Sequence, residues 1–162
     1  RIPLPKAIRN AESLIRAVGY GTQLDEFQLS MNRAAERAAP EAETLLWEAI
    51  RKLTIQDART ILNGRDNEAT LYFREKTEDR LAAIFNPIVH DAMSEVGVTR
   101  SYQDVTKAFS ALPFTRIVDF DLDRYVTALA LDGLFFMLAE QERKIREDPT
   151  ARVTDLLKEV FK

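Results

Sequence analysis

A chain of 162 residues, 46% hydrophobic and 30% charged, is large enough to bury one core without metals or disulfides and too apolar for disorder. The formal charge of −3, with bases alternating with acids as in Arg74-Glu75-Lys76-Thr77-Glu78-Asp79-Arg80, reads as a solvated helix face and argues against a nucleic-acid partner. No cysteine is present, which excludes disulfides, thiolate catalysis and Cys-based zinc sites.

Along the chain almost everything reads as helix, because glycines and prolines are few and no run alternates with period two. Pro5 suits a first helical turn. Ala7, Leu14, Ile15 and Val18 follow before Gly19-Tyr20-Gly21 stops the segment. Thr22 is placed to cap the next helix, with Asp25 at capping-box spacing. Leu24, Phe27, Met31, Ala34, Ala38, Ala42, Leu45 and Ala49 then form one apolar stripe through Pro40, which predicts a kinked helix or two nearly collinear ones. Thr54 and Asp57 open a short helix that Asn63-Gly64 closes with residues tolerant of the left-handed cap conformation.

Phe73, Leu81, Ile84, Ile88, Ala92 and Val96, with Thr77 on the same stripe, mark a long helix over about 66–96 that Pro87 bends. A shorter helix is expected over 101–112 and an extended connection over 114–120. Asp119 or Asp121 caps the most apolar helix, which runs to about Glu147 and ends in Arg143, Lys144 and Arg146, as the helix dipole favours. A last amphipathic helix with Val153, Leu156, Leu157, Val160 and Phe161 follows Pro149. The expected fold is therefore all-α. It is a single compact domain over 1–162, of about six to eight helices around a buried central helix at about 121–147.

No catalytic motif survives testing. His90 is the single histidine, and with Asp91 and Glu95 it makes too few ligands for a metal site. Asp119, Asp121 and Asp123 start like a calcium loop, but Arg124 and Ala130 stand where Gly and Glu are required. Gly19-Tyr20-Gly21 lacks the tail and the preceding strand of a phosphate loop. Glu140 and Glu142 are paired carboxylates of a kind abundant on helix surfaces. No metal or cofactor is expected.

The unusual charges are those on apolar or small-residue faces. Asp132 stands among Leu129, Leu131, Leu134, Phe135 and Phe136, beside Gly133, whose missing side chain permits close approach of another backbone. Arg33 and Glu36 lie in the small stripe of "MNRAAE". A buried carboxylate needs a partner, so Asp132 is expected to be mostly buried in a polar network and bonded to Arg33 or Arg74. An apolar pocket or groove is expected between the 121–147 and 66–96 helices, bordered by Tyr72, Tyr125 and Phe136.

The segments "RIPLP" (1–5), "MNRAAERAAPEA" (31–42), "DARTILNGRDNEATLYF" (57–73) and "YVTALALDGLFFMLAEQERKIREDPTARVTDLL" (125–157) together resemble a bacterial family, the domain of unknown function 4197, while "VGVTRSYQDVTKAF" (96–109) fits more loosely. The resemblance implies an exported cell-envelope or periplasmic protein, lipoprotein-like, and assigns no catalytic residue. The chain begins at Arg1 rather than Met and is expected to be the trimmed C-terminal part of such a protein, without a transmembrane segment. The expected function is a binding module for an apolar, lipid-like ligand or a partner helix of another envelope protein. The alternatives are an assembly scaffold and, third, a carboxylate hydrolase in which Asp132, Glu140 and His90 converge.

Overall fold

Capping chemistry explains where several helices of the computed structural model begin and end. The structure describes residues 1–95 and 121–148, together with Gln103. The helices expected over 101–112 and after Pro149, and the connection over 114–120, lie outside these residues. Seven helices are described: α1 Lys6–Asn10, α2 Glu12–Ala17, α3 Gly21–Ala38, α4 Glu41–Arg51, α5 Ile55–Asn63, α6 Glu68–Glu95 and α7 Leu122–Glu147. No strand occurs among the described residues, and the fold is all-α.

Contacts group the described chain into two compact units. The first comprises residues 1–40, 83–95 and 121–130, and the second residues 41–82 and 131–148, so α6 and α7 each contribute to both. In the first unit the α3 half of the long stripe is fully buried, with Leu24, Phe27, Met31, Ala34 and Ala38 at 0% exposure. The chain breaks at Ala39-Pro40 because proline has no N–H to continue the helical ladder. Gly19 at φ 94° closes α2: its N–H donates to the Arg16 carbonyl and the Tyr20 N–H to the Ile15 carbonyl, the paired bonds of a Schellman end.

The start of α3 differs from expectation. Gly21 already opens the helix and no side chain caps it. Asp25 is instead drawn to the Arg16 guanidinium at 2.6 Å. An ion pair to a neighbouring helix outcompetes a local cap because each of its hydrogen bonds carries charge.

Residues 1–5, which have no helical partner of their own, are held in the first unit by backbone bonds. The Ile2 N–H donates to Asn32 Oδ1 at 2.8 Å and its carbonyl accepts from Gln28 Nε2 at 3.1 Å. Tyr125 completes the clasp by donating its hydroxyl to the Pro3 carbonyl at 3.0 Å, which buries Ile2 and Leu4. Along α6 the buried line runs through Thr77, Leu81, Phe85, Val89 and Ala92. Ile84 and Ile88, expected on it, lie at its half-buried margin, since a one-residue rotation costs little on a helix apolar over a wide arc. The helix continues through Pro87, which sits on the exposed face with Ala83, whose carbonyl water can reach.

In the second unit the rest of the stripe, Ala42, Leu45 and Ala49, is buried. Thr54 caps α5 in a full capping box: its hydroxyl accepts from the Asp57 N–H, and Asp57 returns a bond to the Thr54 N–H. Gly64 ends α5 in extended rather than left-handed backbone. Glycine is required there because a Cβ would run into the Glu68 side chain. Asp121 caps α7 by accepting from the Arg124 N–H at 2.9 Å. Burial on α7 is confined to one face, carrying Val126, Thr127, Leu131 and Phe135, whereas Phe136 and Met137 are 65% and 57% exposed.

Candidate functional site

The second unit contains a half-open cavity of about 230 Å³ beside the N-terminal turn of α6 and the C-terminal third of α7. Ile61 of α5, Ala69, Thr70 and Phe73 of α6, and Leu138, Gln141, Glu142, Ile145 and Arg146 of α7 line it. Its exposed surface is almost wholly apolar although polar residues stand at its wall. A hydrogen-bond network explains the contrast by turning every polar atom it uses inward.

Glu142 is the hub of that network. Its Oε1 accepts from the Ala69 N–H at 2.9 Å, and its Oε2 accepts from the Thr70 N–H and hydroxyl, each at 2.8 Å. These are orphan donors of the first turn of α6, and a carboxylate there also meets the positive end of the helix dipole. Arg146, four residues on, donates to Glu142 at 2.8 Å and to the Ile61 carbonyl in the last turn of α5 at 2.7 Å. The two side chains are only 12% and 10% exposed, Arg146 and Glu142 respectively. One largely buried ion pair thus closes the negative end of α5 and the positive end of α6. With its oxygens saturated, Glu142 is a structural carboxylate rather than a free acid or base.

The expected polar network is corrected. Asp132 does meet Arg74, at 2.7 Å, but its side chain is 52% exposed, so the pair lies at the surface. Arg74 also binds Glu78 at 2.8 Å and rests over the Phe135 ring at 5.4 Å. Arg33 and Glu36 are exposed and do not belong to a buried network. Gly133 brings no backbone close, since a Cβ there would meet nothing within 4 Å. On α7 the reason is rotational: Asp132 and Gly133 fall on its solvent face, turned away from Leu131 and Phe135.

The expected border residues do not line the cavity. Phe136 is exposed, Tyr125 belongs to the clasp of the first unit, and Tyr72 lies beside the Asp57 carboxylate at the start of α5. Burial, with Asp57 beside it, pushes the Tyr72 phenol up, and burial does the same for Tyr125. Nothing in the sequence separated the Glu142–Arg146 spacing from exposed pairs such as Arg74–Glu78, which have the same i,i+4 separation.

Asp132, Glu140 and His90 each bond a different partner. Asp132 pairs with Arg74, Glu140 with Arg143 at 2.8 Å, and His90 through Nδ1 with Asp123 at 2.7 Å. The His90–Asp123 bond joins α6 to the first turn of α7 within the first unit, and Asp123 pulls the imidazole above its ordinary range. Among the described residues no group of three or more potential ligands is placed to hold a metal ion. No helix among them is long and apolar enough to cross a membrane.

Fold and site define an all-α protein with an apolar cavity walled by a largely buried Glu–Arg pair. A family model described as "Protein of unknown function (DUF4197)" matches residues 1–162, and the chain belongs to that family. No curated protein and no solved structure matches it.

Proposed function

We propose that the protein is a non-catalytic binding module that takes the end of an apolar chain, lipid-like in character, into the cavity of the second unit. The supporting observation is the pairing of an apolar surface with a saturated polar wall around about 230 Å³. That volume exceeds the ~150 Å³ apolar cavities that hold benzene and falls short of the roughly 300 Å³ at which pockets for drug-sized ligands begin. It suits an acyl terminus, and a single apolar side chain of a partner helix is the same size of guest. A cell-envelope setting, where acyl chains are abundant, accords with the family resemblance and is part of this proposal.

The test is native mass spectrometry of the protein incubated with lipid extract, followed by titration with medium-chain fatty acids. Ala69→Leu, which places a branched side chain in the cavity, is expected to abolish uptake while leaving the helical circular dichroism intact. Wild-type protein that takes up no acyl chain, or an Ala69→Leu variant that takes it up unchanged, would overturn the proposal and leave an assembly scaffold as the better account.

A further inference from the structure

α4 and α5 leave large apolar side chains in solvent: Trp47 is 53% exposed, Ile50 39%, Ile55 77% and Leu62 40%. They are not scattered. Trp47 and Ile50 are three residues apart on one face of α4, and Ile55 and Leu62 are seven apart on one face of α5. Cations are interleaved at helical spacing. Arg51 follows Trp47 by four residues, Arg59 follows Ile55 by four, and Lys52 occupies the corner between the helices; all three are exposed. None of the three has an acidic partner among the described residues.

Two of the four acids of α4 and α5 are otherwise engaged. Glu48 pairs with Arg80 at 3.1 Å, and Asp57 is held by the Thr54 N–H and hydroxyl. Glu41 and Glu43 are the remaining acids of the two helices, and Glu43 stands one turn before Trp47. Each of the two exposed helix faces is therefore apolar and basic at once, on a protein whose formal charge is −3.

We propose that the α4–α5 corner is a docking surface for an anionic lipid bilayer. Three physical arguments select that occupant. An indole and branched aliphatic chains beside Arg and Lys match the headgroup boundary, where rings and alkyl groups enter the apolar layer while basic heads stay at the phosphates. A second copy of the chain is disfavoured, because self-pairing of this face sets Arg51, Lys52 and Arg59 against their own counterparts. A nucleic acid would use the cations and leave Ile55 and Leu62 unburied. Docking here is independent of the cavity, although α5 serves both: Ile61 lines the cavity and Leu62 next to it faces solvent.

Trp47, the single tryptophan, is a built-in reporter. The full chain is mixed with phosphatidylcholine vesicles with and without added phosphatidylglycerol, the acyl chains carrying bromine near the headgroup. Anionic vesicles are expected to blue-shift and quench Trp47 fluorescence, and high salt to reverse the effect. Each basic residue near an anionic surface contributes roughly fivefold in affinity, so the Arg51→Gln, Lys52→Gln, Arg59→Gln triple variant should bind on the order of a hundredfold more weakly. Ile55→Asp should also abolish quenching without changing the melting temperature, since the side chain is 77% exposed. Ala69→Leu should dock as wild type, which separates this result from that of the cavity. Four outcomes would overturn the proposal. They are no quenching by anionic vesicles at low salt, and docking unaffected by the triple variant. The others are a concentration-dependent Trp47 shift without vesicles, which indicates a second copy, and a response to an acidic amphipathic peptide but not to vesicles.

Discussion

The two units solve the same packing problem with different materials. The first is filled by large apolar side chains, with Ile15, Leu24, Phe27, Met31, Val89 and Val126 all at 0% exposure. The second buries Ala42, Leu45, Ala49, Leu81, Leu131 and Phe135, and joins the ends of α5 and α6 through Glu142 and Arg146. Its cavity and its exposed Trp47, Ile55, Phe136 and Met137 lie in this second unit. Close packing by large side chains leaves no room for a guest, whereas helix ends joined by directional hydrogen bonds can enclose space without filling it. The candidate site lies in the second unit, where helix ends are joined by hydrogen bonds beside it.

The comparison is broken most severely by removing what each unit relies on. Phe27→Ala, in the fully buried wall of the first unit, is expected to cost about 3–5 kcal/mol, measured by urea unfolding, because the site cannot collapse around the lost ring. Glu142→Ala should cost about 3 kcal/mol, since it removes the acidic half of a largely desolvated ion pair and uncaps Ala69 and Thr70. The double variant Glu142→Leu, Arg146→Met should recover part of that loss, because two apolar groups leave no buried charge. A single variant as stable as wild type would mean the second unit does not depend on this pair.

Two glycines sharpen the contrast at a smaller scale. Gly19→Ala in the first unit is expected to destabilise by about 1–2 kcal/mol, since its φ of 94° is strained for any side chain even though the space is open. Gly133→Ala in the second should stabilise by about 0.5–1 kcal/mol, because the position is helical, exposed and unobstructed. Equal effects of the two changes on the melting temperature would contradict both assignments.

The smallest effects are in pH, and their signs are opposite. His90 is raised by its bond to Asp123, so its contribution to the first unit is present below the ordinary histidine value of 6.5 and is lost as pH rises through the raised value. Asp57 is lowered by its bonds to Thr54, so its contribution to the second unit is present above 3.8 and is lost as pH falls through the lowered value. Melting temperature against pH should lose the alkaline slope in His90→Gln and the acid slope in Asp57→Asn. Retention of the alkaline slope in His90→Gln would assign it to another group.

Sequence by itself determined the all-α class and most helix bounds. It also determined the stripe from Leu24 to Ala49, every member of which is buried. These are local properties: helical periodicity, proline's missing donor and the reciprocal bonds of Thr54 and Asp57 act within a few residues. The pairing of Asp132 with an arginine was also legible, because an aspartate amid leucines needs a cation wherever it ends up. Only tertiary structure decided that this pair is exposed while Glu142 and Arg146 are buried. Both pairs look alike in sequence, and burial depends on which face of α7 meets a helix distant in the chain. The cavity was legible to the extent of its two long helices and no further. Its walls are set by where the ends of α5 and α6 fall against Glu142 and Arg146, a long-range geometry that no periodicity records.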